Sequence, residues 1–266
     1  MNIDFSAIDE YEKSDTQPSL ELATKGHNTN TFFRAVIEGF TSGIKGLASG
    51  KPNQWAEAVD SALTSFAATN KFAYQHTKGS GVSPSSALKV PELFLPNDAW
   101  LPMVTRYMEG TIGVDAFKYY QCMLQIPALE SLGAVASTNL MSLSVLTALQ
   151  VTLPTHVNKL YVGLKHDLSP EIKSVLDTKK MQRRDLEANY SQFYHVYSEA
   201  DDRLTAHYIL SPEVMEKLLE NKMFDIWIEG NNMVIYCFAP TLQVYLENIK
   251  DYFAFAELLI ANVDAV

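Results

Sequence analysis

From Asn30 the apolar residues Phe32, Phe33, Val36, Ile37, Phe40, Ile44 and Leu47 recur every three or four positions, with Arg34, Glu38, Thr41 and Lys45 between them. That spacing predicts an amphipathic helix. Gly50-Lys51-Pro52-Asn53 is turn chemistry, and Trp55, Val59, Ala62, Leu63 and Phe66 then resume the stripe, so the pattern predicts a helical hairpin. The first helix carries Gly39, Gly43 and Gly46, each costing about 1 kcal/mol against Ala in a helix interior. The spacing Gly39-x-x-x-Gly43 lets a second backbone approach closely, which would offset that cost.

Upstream, residues 1–28 hold only scattered Ile3, Phe5, Ile8 and Tyr11 among polar and acidic groups. So few apolar side chains cannot offset chain entropy unaided, and a mobile tail or a docking peptide is expected. Residues 78–96 interleave glycine, proline and serine and read as a connector. Between 98 and 130, the runs W-L-P-M-V-T-R-Y-M and D-A-F-K-Y-Y-Q-C-M-L-Q predict two short helices separated by Gly110 and Gly113. Tyr107, Phe117, Tyr119 and Tyr120 within them are expected in the core, because aromatic rings dominate packing. Residues 131–158 contain no Asp, Glu, Lys or Arg; serines, threonines and Asn139 break the run, so a buried helix or pair of buried elements is expected rather than a spanning one.

The second half reads differently. K-L-Y-V-G-L-K-H alternates as a strand and leads into L-S-P-E-I-K-S-V-L; later A-H-Y-I leads into L-S-P-E-V-M-E-K-L. Both look like strand-to-helix junctions, with Ser169 and Ser211 as N-caps, Pro170 and Pro212 in the first helical position, and Glu171 and Glu213 on the positive end of the helix dipole. A strand over 193–197, a strand over 205–209, and a hairpin formed by F-D-I-W-I and M-V-I-Y-C-F about Glu229-Gly230-Asn231-Asn232 complete the unit. Residues 241–263 place Leu242, Ile249, Phe253, Leu259 and Val263 on one face of a long helix. The expected fold is α+β: a tail over 1–28, a predominantly helical region over 29–152, and a C-terminal α+β domain over 153–266 with a small mixed sheet and a long C-terminal helix.

Composition narrows the chemistry. The chain has 266 residues, is 47% hydrophobic and carries a formal charge of −10, which argues against a nucleic-acid ligand because that binding draws on clustered Lys and Arg. The one basic run, Lys179, Lys180, Arg183 and Arg184, reads as a solvated face. Cys122 and Cys237 stand far apart, fitting a reducing compartment, and the acidic N-terminus does not fit a secretory signal, so a cytoplasmic location is expected. Six histidines occur. If the strands at 193–197 and 205–209 paired, His195 and His207 would share a face near His166, with Asp201 in the adjoining turn. These four are the candidates for catalysis, yet they lack the local spacing of a metal site or triad. Neither a metal nor a cofactor is expected.

The string F-Y-H-V-Y-S-E-A-D-D-R-L-T-A-H-Y-I-L-S-P-E-V-M-E-K-L-L followed by D-I-W-I-E-G-N-N-M-V-I-Y resembles an uncharacterised bacterial domain family whose members often carry this domain beside predicted transmembrane helices. The resemblance spans 193–238, or 153–238 if the preceding strand and helix are included. Its motifs are structural, and it implies no activity. The expected function is a non-enzymatic interaction or scaffold protein, with Phe33, Ile37, Phe40, Gly39 and Gly43 as the contact face toward a protein partner, a second copy or a membrane surface. The alternatives are a hydrolase-like enzyme with its site between lobes, and a self-assembling structural subunit of a virus or large complex.

Overall fold

The computed structural model describes residues 3–14, 54–76, 103–125, 143–164, 170–186, 190–202, 204–221, 224–239 and 247–264. In chain order the elements are α1 (Ser6–Glu12), α2 (Gln54–Asn70), β1 (Ala73–His76), β2 (Met103–Ile112), β3 (Asp115–Gln125) and β4 (Leu143–Leu164). There follow α3 (Pro170–Thr178), β5 (Met181–Arg184), α4 (Tyr190–Phe193), β6 (Tyr194–Glu199), α5 (Leu204–Ile209), α6 (Pro212–Asn221), β7 (Asp225–Ala239) and α7 (Glu247–Asp264). The fold is α+β. Its seven strands form one sheet of order β1-β2-β3-β4-β6-β5, with β7 also on β4, and every pairing among the described residues is antiparallel rather than mixed.

The spine is the pair β4 and β7. β3 lies along Leu143 to Val151 of β4 and β6 along Leu160 to Leu164, while β7 accompanies both stretches. Between them the register slips, from Thr152↔Asn232 to Val157↔Gly230, and Gly230 takes φ +63°. A one-residue slip would turn every side chain to the other face. Here the irregularity resets the pattern: Ile226 and Ile228 face the same core as Met233 and Ile235, even positions before Gly230 and odd ones after it. Glu229-Gly230-Asn231-Asn232 is therefore a bend within one strand, not the hairpin turn its composition suggests. Asn231 Nδ2 donates to the Leu153 carbonyl at 3.2 Å and holds the bend against β4.

Two cores sandwich the sheet. On one face Ile8, Leu63, Phe66, Phe117, Leu149, Leu160, Val214, Ile249 and Phe253 are buried together, drawing in α1, α2, α6 and α7. On the other, Tyr120, Leu146, Tyr161, Trp227 and Tyr236 pack against Ile172 and Leu176 of α3. The stripe expected on the C-terminal helix is present from Ile249 onward, with Ile249, Phe253, Ala256, Leu259 and Val263 buried, while Leu242 lies outside the described residues.

Several local expectations give way to long-range pairing. Residues 103–125 form the β2–β3 hairpin about Gly113, at φ +64°, in place of two helices; rings at three-to-four spacing fit either element, and pairing with β4 decides. The uncharged stretch contributes β4 from Leu143 onward, so the boundary expected at 152/153 falls inside one strand, and among the described residues of 29–152 strand exceeds helix. Residues 204–209 are α5, not a strand: Asp202 Oδ1 accepts from the backbone N–H of Leu204 and Thr205 at 3.1 and 3.0 Å and starts the helix. The second Leu-Ser-Pro-Glu junction thus joins two helices, with Ser211 Oγ accepting from Val214 N–H at 3.4 Å. Residues 3–14 are not a free tail, since α1 buries Ile8 and Tyr11. The glycine-bearing helix expected from Asn30, with Phe33, Ile37, Gly39, Phe40 and Gly43, lies outside the described residues, as does the connector over 78–96.

Candidate functional site

Polar residues inside the sheet are the places where chemistry could reside, because a buried charge is retained only where it is paired. The most extended group starts at Asp60, on the rim of the buried face of α2. β1 points Tyr74 and His76 toward it, and β2 places Arg106 opposite His76. A β-bulge between Val104 and Arg106 turns the arginine to the α2 side of the sheet, whereas Val104 faces the other core. Asp60 Oδ1 accepts from Arg106 Nε at 2.7 Å and from Tyr74 Oη at 3.1 Å, and its Oδ2 lies 3.1 Å from His76 Nδ1. Arg106 Nη1 donates to Gln121 Oε1 at 3.1 Å, and Gln121 Nε2 donates to Thr147 Oγ1 at 3.3 Å. Tyr252 Oη closes the chain on the Thr147 carbonyl at 2.8 Å. The network crosses α2, β1, β2, β3, β4 and α7. Burial, and then the Asp60 charge, hold the Tyr74 phenol well above its ordinary value.

A second group surrounds Asp225 at the start of β7, which is 2% exposed. Its Oδ1 accepts from Leu164 N–H at 2.8 Å, capping the end of β4, and its Oδ2 lies 3.5 Å from Tyr161 Oη. Burial, followed by the Asp225 charge, pushes the Tyr236 phenol far up. Trp227 packs on Tyr161 at 6.2 Å between ring centres, and Lys179 Nζ sits 5.5 Å over Trp227 while donating to Glu229 at 3.1 Å.

The third group is the turn after β6. Arg184 donates from Nε to Ser198 Oγ at 2.7 Å and from Nη2 to the carbonyls of Glu199 and Ala200 at 2.6 and 3.0 Å. Asp202 accepts from Leu204, Thr205 and Asn158. Burial opposes its ionisation, but these hydrogen bonds outweigh burial and leave the carboxyl below its ordinary value.

The histidines expected to converge are distributed otherwise. His195 is half-buried in β6 opposite Gly163, and its ring meets Tyr197 at 6.4 Å. His207 is exposed on the last turn of α5, Asp201 is exposed in the turn, and His166 lies outside the described residues. Among the described residues no three His, Cys, Asp or Glu side chains come together as metal ligands. Burial pushes the Cys122 thiol up to about 12, which withholds the thiolate a nucleophile needs. The basic run is a solvated face only in part: Lys180 and Arg183 are exposed, while Lys179 holds Glu229 and Arg184 holds the β6 turn. Reading by motif missed Asp60, Tyr74, His76, Arg106, Gln121 and Asp225. The available signal was a polar residue inside an apolar run, as Arg106 in M-V-T-R-Y-M and Asp225 in F-D-I-W-I.

Searches for relatives find no matching family model and no matching curated protein. Among solved structures, the chain is similar to the crystal structure of the mycobacterial trehalose monomycolate transport factor A, TtfA, at 11% sequence identity and a TM-score of 0.48, over 75% of this chain and 91% of that one. A likeness this slight carries no functional argument.

Proposed function

We propose that the chain is a non-enzymatic interaction or scaffold protein. What carries this reading is that the charged groups held in and around the sheet are taken up by one another in joining its elements. Asp60, Arg106, Gln121 and Thr147 are spent on joining α2 to three strands, Asp225 on ending β4, and Arg184 and Asp202 on shaping one turn. A catalytic site instead keeps donors and acceptors aimed at where a substrate will sit. Large apolar side chains are left outside on α5, where Leu204 and Tyr208, one helical turn apart, are 63% and 57% exposed. No described helix is long and apolar enough to cross a membrane.

The test is a metal analysis and broad hydrolase screen of the purified protein, run beside sedimentation velocity across concentration. Hydrolysis that disappears on His76→Ala would overturn the reading. A second reading rests on the Asp60–His76 contact: a carboxylate on Nδ1 fixes the ring and raises the basicity of the imidazole, the arrangement of a general base and its orienting partner. The same His76→Ala variant separates the two, since a scaffold role predicts no change in any turnover.

A further inference from the structure

We propose that the groove between α2 and α7 is a helix-recognition site, filled within one chain by its own α1 and able to take the α1 of a second copy. It names a partner for the interaction role above and rests on that reading. α1 has seven residues, and the side-chain bond at its start is Asp4 Oδ1 accepting from Ser6 N–H at 2.8 Å. Helices shorter than about 12 residues are marginal in water, so α1 owes its helicity to the groove.

The groove reads a defined pattern. Phe5 stacks on Phe66 of α2 at 5.4 Å and meets Phe253 of α7 edge-on at 6.2 Å. Ile8 is fully buried and Tyr11 nearly so, completing an apolar stripe at 5, 8 and 11. Two polar clamps fix the ends. Asn70 at the end of α2 bonds the Asp4 backbone in both directions, each at 2.8 Å. Lys250 in the first turn of α7 bonds Asp9 and, at 2.7 Å, Glu12. An acidic helix with apolar groups at i, i+3 and i+6 and carboxylates at i+4 and i+7 therefore fits, as in helix-in-groove recognition generally.

The ring contacts and polar clamps named above go to α2 and α7 and none is a strand ladder, so α1 can leave without unpairing the sheet. Its departure uncovers Phe66 and Phe253, which favours refilling by an equivalent helix. The second copy carries that helix. Residues 15–53 separate α1 from α2, and their covalent length, on the order of 130 Å at full extension, permits exchange between neighbours. A tethered helix competes at an effective concentration fixed by its tether and independent of the solution, so own-chain docking prevails in dilute solution and exchange where copies are crowded.

The experiment uses the full chain carrying Ile8→Asp and Tyr11→Asp, which empties its own groove, titrated into a fluorescein-labelled peptide of residues 1–14. Saturable binding is expected, at least tenfold weaker for a peptide with Ile8→Ala and Tyr11→Ala and for a receptor also carrying Lys250→Glu. A folded receptor that leaves the peptide's anisotropy unchanged overturns the inference, and leaves the scaffold reading to the activity screen. If the receptor fails to fold, hydrogen exchange of the unmodified chain decides. α1 amides exchanging at least 100-fold faster than those of β4 and β7 support an independently opening helix; exchange of α1 only together with those strands overturns it.

Discussion

Arg106→Met removes the cation at the centre of the Asp60 network while keeping the length and apolar stem of the side chain. It deletes the 2.7 Å bond to Asp60 and the 3.1 Å bond to Gln121. Hydrogen bonds to charged groups are each worth about 1.5–3 kcal/mol, and breaking a buried pair from one side costs about 3–5 kcal/mol. Asp60 keeps Tyr74 and His76 as partners and its side chain is 19% exposed, so water relieves part of the loss and the lower end, about 3 kcal/mol, is expected. For a chain of this size that lowers Tm by roughly 10 °C. Urea unfolding followed by circular dichroism measures it, with the slope of the transition unchanged. The double variant Asp60→Leu/Arg106→Met should cost less than the sum of the two single variants, because it leaves no orphaned charge, although Tyr74 and His76 lose their acceptor. A single variant within about 1 kcal/mol of the parent would refute the view that this network holds α2 to the sheet.

Three further outcomes are expected. Gly163→Ala places a Cβ 2.0 Å from Tyr161 Oη and 2.3 Å from its Cζ; with that ring fully buried, overpacking should cost about 2–3 kcal/mol in thermal melts, and little in a Tyr161→Ala background. Lys71 ends α2 at φ +59°, with Phe72 N–H on the Ala67 carbonyl at 2.8 Å and Lys71 N–H on that of Ala68 at 3.3 Å; Lys71→Gly should stabilise by about 1 kcal/mol in denaturant titration. Asp202, with its folded-state carboxyl held below its ordinary value of 3.8, contributes stability that is present above that value and lost as pH falls through the folded one. Asp202→Asn keeps the helix cap and should flatten the acid limb of stability against pH; an unchanged limb would show that Asp202 does not contribute to it.

What was legible in the sequence was local. The helical stripe from Val59 to Phe66, the buried face of α7 and the Ser211 cap follow from side-chain spacing and backbone capping, and all three are present. The chain's α+β character was legible for the same reason. The tertiary structure alone decided what depends on a distant partner. F-D-I-W-I and M-V-I-Y-C-F fall on one strand because β4 pairs with β7 on both sides of Gly230, and the aromatic runs of 103–125 become a hairpin because β4 offers it an edge. Residues 3–14 become ordered because α2 and α7 supply the apolar surface that the segment lacks by itself. The Asp60 group was illegible for the same cause, since Asp60, His76, Arg106 and Gln121 belong to four different elements. Spacing along a chain reports which face a residue takes, while the free energy of a buried charge is set by whichever partner the fold brings within 3 Å.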